Sequence, residues 1–328
     1  MKKIRPVLET TLVRCAIWLL PKLQRRTILA LSHVLGALAY AIDHRGRATS
    51  HENLRAAFAR EHITEDQVRR IALASYQVFA RTFLDLFWSL RLNRENHGDY
   101  ILLSMKDPGT EALARERGAL WVTPHFGNFE LVSLLMGFRG FSFVIVAQDF
   151  KNPALTKIFT RLRQSSGHNV IRQEGAMLRL VKELKRQGHA ALLTDLTVPP
   201  NKAAAAIECF GLRTCVTTLH TTLAQRLSLP VIAGVCLPLP DGAYRVTTAS
   251  PFLPEAYPDA STMTQAVWDW FEQEIRQSPE AWMWMYKHWR FLPTKEPDAR
   301  YPSYANRSRE FRDLIALSKK RAGAASAE

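Results

Sequence analysis

The sequence predicts an α/β fold, a mixed and largely parallel sheet flanked by helices, with a helical extension at the N-terminus. Three observations carry this expectation. From about residue 100 short apolar runs alternate with amphipathic helical patterns, the signature of strands joined by helices. Before that point the apolar residues recur at helical spacing. One of the apolar runs also ends at Pro124 in a turn holding a histidine, the place where open α/β sheets put their chemistry. With 328 residues, 47% of them hydrophobic, the chain can bury a sizeable core. We divide it into a helical membrane-associating region (1–95), an α/β domain (96–295) and a polar, then Ala-rich and loose C-terminal tail (296–328).

Taken in order, residues 7–20 and 27–42 are apolar stretches set among basic clusters. Residues 1–47 hold Lys2, Lys3, Arg5, Arg14, Lys22, Arg25, Arg26, Arg45 and Arg47 against only Glu9 and Asp43. Each stretch is shorter than the roughly 20 residues that a spanning helix needs. They suit helices lying on a bilayer, with basic side chains at anionic headgroups. A helical hairpin packed on the core is an alternative, and Ala37-Leu38-Ala39 resembles the cleavage site of a leader; the uncleaved anchor is the favoured reading. The net charge of +14 points to an anionic partner, for which nucleic acid and membrane lipid both qualify. Residues 49–92 read as further helix, with Leu54, Phe58, Ile71, Tyr76, Phe79, Phe83 and Phe87 covering the core or walling a slot.

Strands are predicted at 120–123, 141–147, 169–172, 190–194, 231–236 and 244–248. Between them, Met177, Leu180, Val181 and Leu184 form one helical face, Val216, Leu219, Leu223 and Leu227 a second, and Val267, Trp270, Phe271 and Ile275 a third. The run Ala119-Leu120-Trp121-Val122-Thr123 is stopped by Pro124 and Gly127. Asn128 can then cap a helix continued by Leu131, Leu134 and Leu135. His125 therefore sits where strand becomes helix. On one continuous helix His125 and Glu130 would lie about 140° apart, but the turn between them frees Glu130 to fold back onto the imidazole. Such a pair suits removing a proton from an alcohol. The plain alternative is a half-buried histidine and an acid well placed against the helix dipole.

Arg163 and Arg172 are candidates to grip a phosphate or carboxylate with paired hydrogen bonds. Asp195, at the end of an apolar strand, is a candidate binding residue or a loop cap. Around residues 282–290, Trp282, Trp284, Tyr286, Lys287, His288, Trp289 and Arg290 mix aromatic and basic side chains, fitting single-stranded nucleic acid, a membrane interface or a terminal helix packed on the core. Cys15, Cys209, Cys215 and Cys236 show neither metal-binding spacing nor a disulfide frame, consistent with a reducing setting. No phosphate loop, nucleotide fingerprint or serine elbow is present in a suitable context.

Four passages together resemble a known family: His125 to Glu130; Arg161-Leu162-Arg163 with Gly167-His168-Asn169-Val170-Ile171; Thr194-Asp195 before Phe210-Gly211; and Pro279-Glu280-Ala281-Trp282 leading to Trp289-Arg290. Over residues 45–293 the chain resembles the lipid A secondary acyltransferases, the lauroyl and myristoyl transferase group of the lysophospholipid acyltransferase superfamily. The resemblance implies a glycerol-3-phosphate acyltransferase-like fold, His125 and Glu130 as the catalytic pair, and Asn128, Arg163, Arg172 and Asp195 as substrate-binding residues. It implies an acyl carrier protein or acyl-coenzyme A donor, an anionic lipid acceptor, and no cofactor or metal. It also implies a place at the cytoplasmic face of the inner membrane, with no nucleic acid partner. Leu196 stands where members carry a polar residue, and Pro199-Pro200-Asn201-Lys202 with the alanines after it replaces an expected glycine-containing loop; both departures bear on the acceptor. A thioester hydrolase and a non-catalytic lipid or nucleic-acid binder are the other readings.

Overall fold

The computed structural model describes residues 4–201, 203–295 and 298–325; Lys2, Lys3, Lys202 and Pro297 lie outside the described residues. Four helices come first: α1 (Ile4–Leu19), α2 (Arg25–Ile42), α3 (His44–Ala57) and α4 (Glu65–Trp88). The α/β part follows as β1 (Ile101–Met105), α5 (Thr110–Arg117), β2 (Ala119–Thr123), α6 (Phe129–Phe138), β3 (Phe143–Ala147), α7 (Pro153–Gln164), β4 (Asn169–Arg172), α8 (Ala176–Leu184) and β5 (His189–Leu193). A hairpin, β6 (Ala204–Cys209) and β7 (Leu212–Thr217), leads to α9 (Leu219–Leu227), β8 (Val231–Pro238), β9 (Tyr244–Thr248) and α10 (Ala260–Gln277). Two short strands, β10 (Phe291–Leu292) and β11 (Asn306–Arg307), precede α11 (Arg309–Ala325).

Seven strands form the main sheet in the order β1-β9-β8-β2-β5-β3-β4, parallel at every junction except β8 with β9. The mixed, mostly parallel sheet flanked by helices is thus the fold the sequence predicts. Ala119 to Val122 of β2 are all buried, because a central parallel strand is covered on both faces and so reads as one apolar run. Leu120 and Val122 face the cluster that holds Leu180 of α8, Leu223 of α9 and Phe271 of α10, while Trp121 faces Met136 of α6 and Phe141.

Several elements differ from the sequence expectation. The strand β1 and the β6–β7 hairpin were not predicted; in β6 the alanines at 204–206 carry little strand propensity. Val216 lies in β7 and not on the helix after it. The tail expected to be loose forms α11, pinned by fully buried Phe311.

α4 begins with a capping box, in which Thr64 accepts from the Gln67 backbone and the Gln67 side chain accepts from the Thr64 backbone. It packs along α2, and a buried cluster joins both to the sheet. Arg25 of α2 grips the Asp85 carboxylate of α4 with two guanidinium nitrogens, one at 2.8 Å, and the Tyr244 hydroxyl of β9 donates to the same carboxylate. Arg81 donates to the carbonyls of Gly242 at 2.8 Å and Ala243 at 2.9 Å. A buried charge left without its partner costs about 3–5 kcal/mol, so these groups bind the extension to β9 and the turn before it. Outward, the extension shows Val7, Leu8 and Leu12 of α1, Val34, Leu35, Leu38 and Ile42 of α2, and Phe79 and Phe83 of α4, all exposed. Among the described residues no single helix is long and apolar enough to cross a membrane; α2 and α3 together meet the composition but are bent by 94°.

Candidate active site

β2 and β5 are paired so that Thr123 lies opposite Leu193. Two residues further along each strand come His125 and Asp195, so the parallel register delivers both side chains to the same carboxyl edge of the sheet. His125 Nδ1 donates to Asp195 Oδ1 at 2.7 Å, and the His125 backbone N–H donates to Asp195 Oδ2 at 3.0 Å. Because a carboxylate only accepts, the ring proton sits on Nδ1 and Nε2 is left with a free lone pair, the tautomer a general base needs.

The turn that carries His125 admits no slack. Gly127 has φ +54°, and a Cβ there would come within 1.9 Å of the Cys236 carbonyl oxygen. The Gly127 carbonyl accepts from Thr82 Oγ1 of α4 at 2.8 Å, and its N–H donates to the Ala281 carbonyl at 2.7 Å. On either side, Asn128 N–H donates to the Cys236 carbonyl at 2.9 Å and Met283 N–H to the His125 carbonyl at 3.2 Å. A Gly127→Ala variant combines an unfavourable φ with a backbone overlap, so we expect it to lose about 3 kcal/mol or more of stability. Thermal or urea unfolding against the parent protein checks this.

Electrostatics reinforce the pair. Burial of the His125 ring opposes its charged form, but the Asp195 carboxylate outweighs burial, with a smaller contribution from Glu130, and the pKa ends above the usual imidazole value. Asp195 is fully buried, which alone would raise its pKa; the His125 charge and hydrogen bond reverse that and hold it at about 2. Asp195 therefore stays an anion throughout the range in which His125 titrates.

Here the structure corrects an expectation. Glu130 does not fold back onto the imidazole: its two carboxylate oxygens are taken by Arg163 of α7, with Arg163 Nε donating to Oε2 at 3.1 Å. The turn at Gly127 aims the first residues of α6 at α7, and the position beside Nδ1 belongs to Asp195. Asn128 is also placed differently from a substrate contact. Its side chain is fully buried and its Oδ1 accepts from Leu131 N–H at 3.2 Å, capping α6, while its Nδ2 has no partner among the described residues. Arg172 is exposed and pairs with Asp149 at 2.6 Å.

Next to the imidazole stands Phe129, whose ring packs edge-on against it with centroids 4.9 Å apart. Phe129 is also a wall of a largely apolar cavity of about 660 Å³ that reaches Trp121, Met136, Ile145 and Leu180 and is edged by Glu130 and Arg163. That volume is in the range of small-molecule sites. A groove of about 450 Å³ shares Arg163, Ala147 and Phe150 with the cavity and carries Lys157 and Arg172 on its rim. The arrangement offers a base, an apolar slot beside it and cationic groups at the slot's mouth.

The 282–290 segment is not a helix. Trp282, Trp284 and Trp289 are buried, and the Trp282 indole N–H donates to Asp195 Oδ2 at 3.1 Å, so this stretch forms the back wall of the site. Composition showed its aromatic mass, and only the fold shows where it goes.

Comparison with known proteins gives a match over residues 4–291 to a family model described as bacterial lipid A biosynthesis acyltransferase. No curated protein matches the chain. Among solved structures, the crystal structure of the 1-acyl-sn-glycerophosphate (LPA) acyltransferase PlsC from Thermotoga maritima is similar at 12% identity, with a TM-score of 0.37 over 79% of this chain and 99% of that one.

Proposed function

The chain belongs to the bacterial lipid A biosynthesis acyltransferase family, and from that premise we propose that it moves a fatty acyl group from a thioester of acyl carrier protein or coenzyme A to a hydroxyl of a lipid A precursor. The protein is an acyltransferase acting on lipid. The observation that carries the finer reading is the His125–Asp195 pair set beside an apolar cavity at the carboxyl edge of the sheet.

In this scheme His125 Nε2 takes the proton of the acceptor hydroxyl as its oxygen attacks the thioester carbonyl. The tetrahedral intermediate collapses to an ester, and the departing thiolate receives the proton from the imidazolium. Asp195 holds the ring in the required tautomer and stabilises the charge that forms on it. First-turn N–H groups of α6 are the candidate donors for the oxyanion. The apolar cavity takes the acyl chain. Glu130 adds negative potential at His125 and orients Arg163, which with Arg172 and Lys157 meets anionic groups of the acceptor.

The exposed apolar faces of α1, α2 and α4 support docking at the cytoplasmic surface of the inner membrane, where basic residues such as Arg5, Arg14 and Lys22 meet anionic headgroups. Incubating the purified protein with acyl thioester and a lipid A precursor, then weighing the lipids by mass spectrometry, tests the function. An acceptor heavier by one acyl group is the expected result. Free fatty acid with the acceptor unchanged would make the protein a thioester hydrolase.

Arg163→Ala should raise KM for the lipid acceptor by about 10- to 100-fold while lowering kcat less, because the lost contact is a charge-assisted one made in the bound state. Steady-state kinetics with acceptor varied at saturating thioester reads the split; an unchanged KM would remove the guanidinium from acceptor binding.

A further inference from the structure

The scheme above leaves unused the segment behind the pair, yet that segment grips both of its members. Its main chain takes the Gly127 N–H on the Ala281 carbonyl and offers the Met283 N–H to the His125 carbonyl. Its Trp282 side chain reaches Asp195. We infer that Trp282 is a positioning residue for the His125–Asp195 pair, acting through the Asp195 carboxylate. The inference rests on the reading of His125 as the base.

A carboxylate removed from water needs donors on both oxygens, and Asp195 is fully buried. Oδ1 is occupied by His125 Nδ1, while Oδ2 accepts from the His125 backbone N–H and from the Trp282 indole. With both oxygens held, the carboxylate plane cannot turn and Oδ1 stays aimed at the imidazole. An indole N–H only donates, so the contact fits the anion and cannot be satisfied by reversal. Donation to a carboxylate is particular to Trp282: among the described residues the indole N–H groups of buried Trp121, Trp268 and Trp289 have no partner, and those of Trp88 and Trp284 go to the main-chain carbonyls of Leu23 and Pro279. Trp282 is itself fixed, since its carbonyl accepts from Ser75 Oγ of α4 at 2.5 Å and its ring stacks on His288 with centroids 3.9 Å apart.

The indole also tunes the pair, because each donor to Asp195 draws charge from the carboxylate and moderates its pull on the imidazole proton. The other titratable groups facing the pair are few. Glu130 is held by Arg163; His288, adjacent to Asp195, is kept neutral near pH 7 by burial, with its pKa at about 4; and the Tyr286 hydroxyl donates to the Thr197 carbonyl. Near neutral pH, then, removing the indole donor acts on His125 through Asp195.

Trp282→Phe keeps an aromatic ring and deletes the donor. It should lower kcat by about 5- to 30-fold, and should move the acid limb of the kcat/KM profile up by about half a pH unit or more, since a more basic carboxylate holds the imidazolium proton longer. An acid limb at the parent's pH would overturn the inference. A second measurement needs no folded variant at position 282. In the nitrogen-15 NMR spectrum of the parent protein, the Trp282 indole N–H should show a pH step with the midpoint of the His125 ring, and that step should vanish in Asp195→Asn; a flat indole signal across the His125 transition would overturn it. Wild-type turnover by His125→Ala would sink the base assignment instead, and the NMR coupling would still be readable.

Discussion

Replacing His125 with alanine is expected to lower kcat by about 10²- to 10⁴-fold, the span that a positioned general base contributes. The ring is the one group placed to take the acceptor proton in our scheme, with Nδ1 committed to Asp195 and Nε2 free. The fold should survive, because the turn is held by main-chain contacts to Cys236, Ala281 and Met283 that do not involve the imidazole. Stability should fall by about 3 kcal/mol, because the buried Asp195 carboxylate loses its charged partner but keeps the His125 backbone N–H and the Trp282 indole as donors. Turnover measured beside a thermal melt separates the two effects. A well-folded variant with near-normal transfer would take His125 out of the mechanism.

Asp195→Asn should cost a comparable amount, about 10²- to 10⁴-fold in kcat. All three groups meeting this carboxylate are donors: His125 N–H, His125 Nδ1–H and the Trp282 indole. An amide presents one oxygen and one NH₂, so at least one of those contacts becomes donor against donor, and two do if the NH₂ takes the place of Oδ2. If the NH₂ faces the ring, the proton moves to Nε2 and the base is in the wrong tautomer, the effect seen when a triad aspartate is made an asparagine. The pH profile adds a check on sign. Asp195 raises the His125 pKa, so Asp195→Asn should move the acid limb of whatever activity remains to lower pH. A variant that keeps both the parent rate and the parent limb would show that Asp195 has no part in the chemistry.

Local pattern carried much of this site and misassigned one partnership. The strand over Ala119–Thr123, the break at Pro124 and Gly127, and the cap at Asn128 are all stated by neighbouring residues, and each is present. The sheet's parallel character was likewise legible from alternating apolar runs and helical faces. The partner of His125 was not, because Asp195 lies 70 residues away along the chain and reaches the histidine only through the register of β2 with β5. Spacing pointed to Glu130, the nearest carboxylate in sequence; its true neighbour, Arg163, belongs to α7 and was expected to meet substrate alone. The hairpin at 204–217 was hidden for another reason: its alanines gain their strand conformation from packing against α10 and α11, a tertiary effect that composition does not record.

The ionic knot of Arg25, Arg81, Asp85 and Tyr244 has a mechanical meaning. Since it ties α2 and α4 to β9, the leading helices cannot trail as a leash that lets the catalytic part wander. On the proposed docking of those helices at a membrane, the height and tilt of His125 above the bilayer would be dictated by the protein's own architecture, and the acceptor would have to present its hydroxyl at one fixed depth.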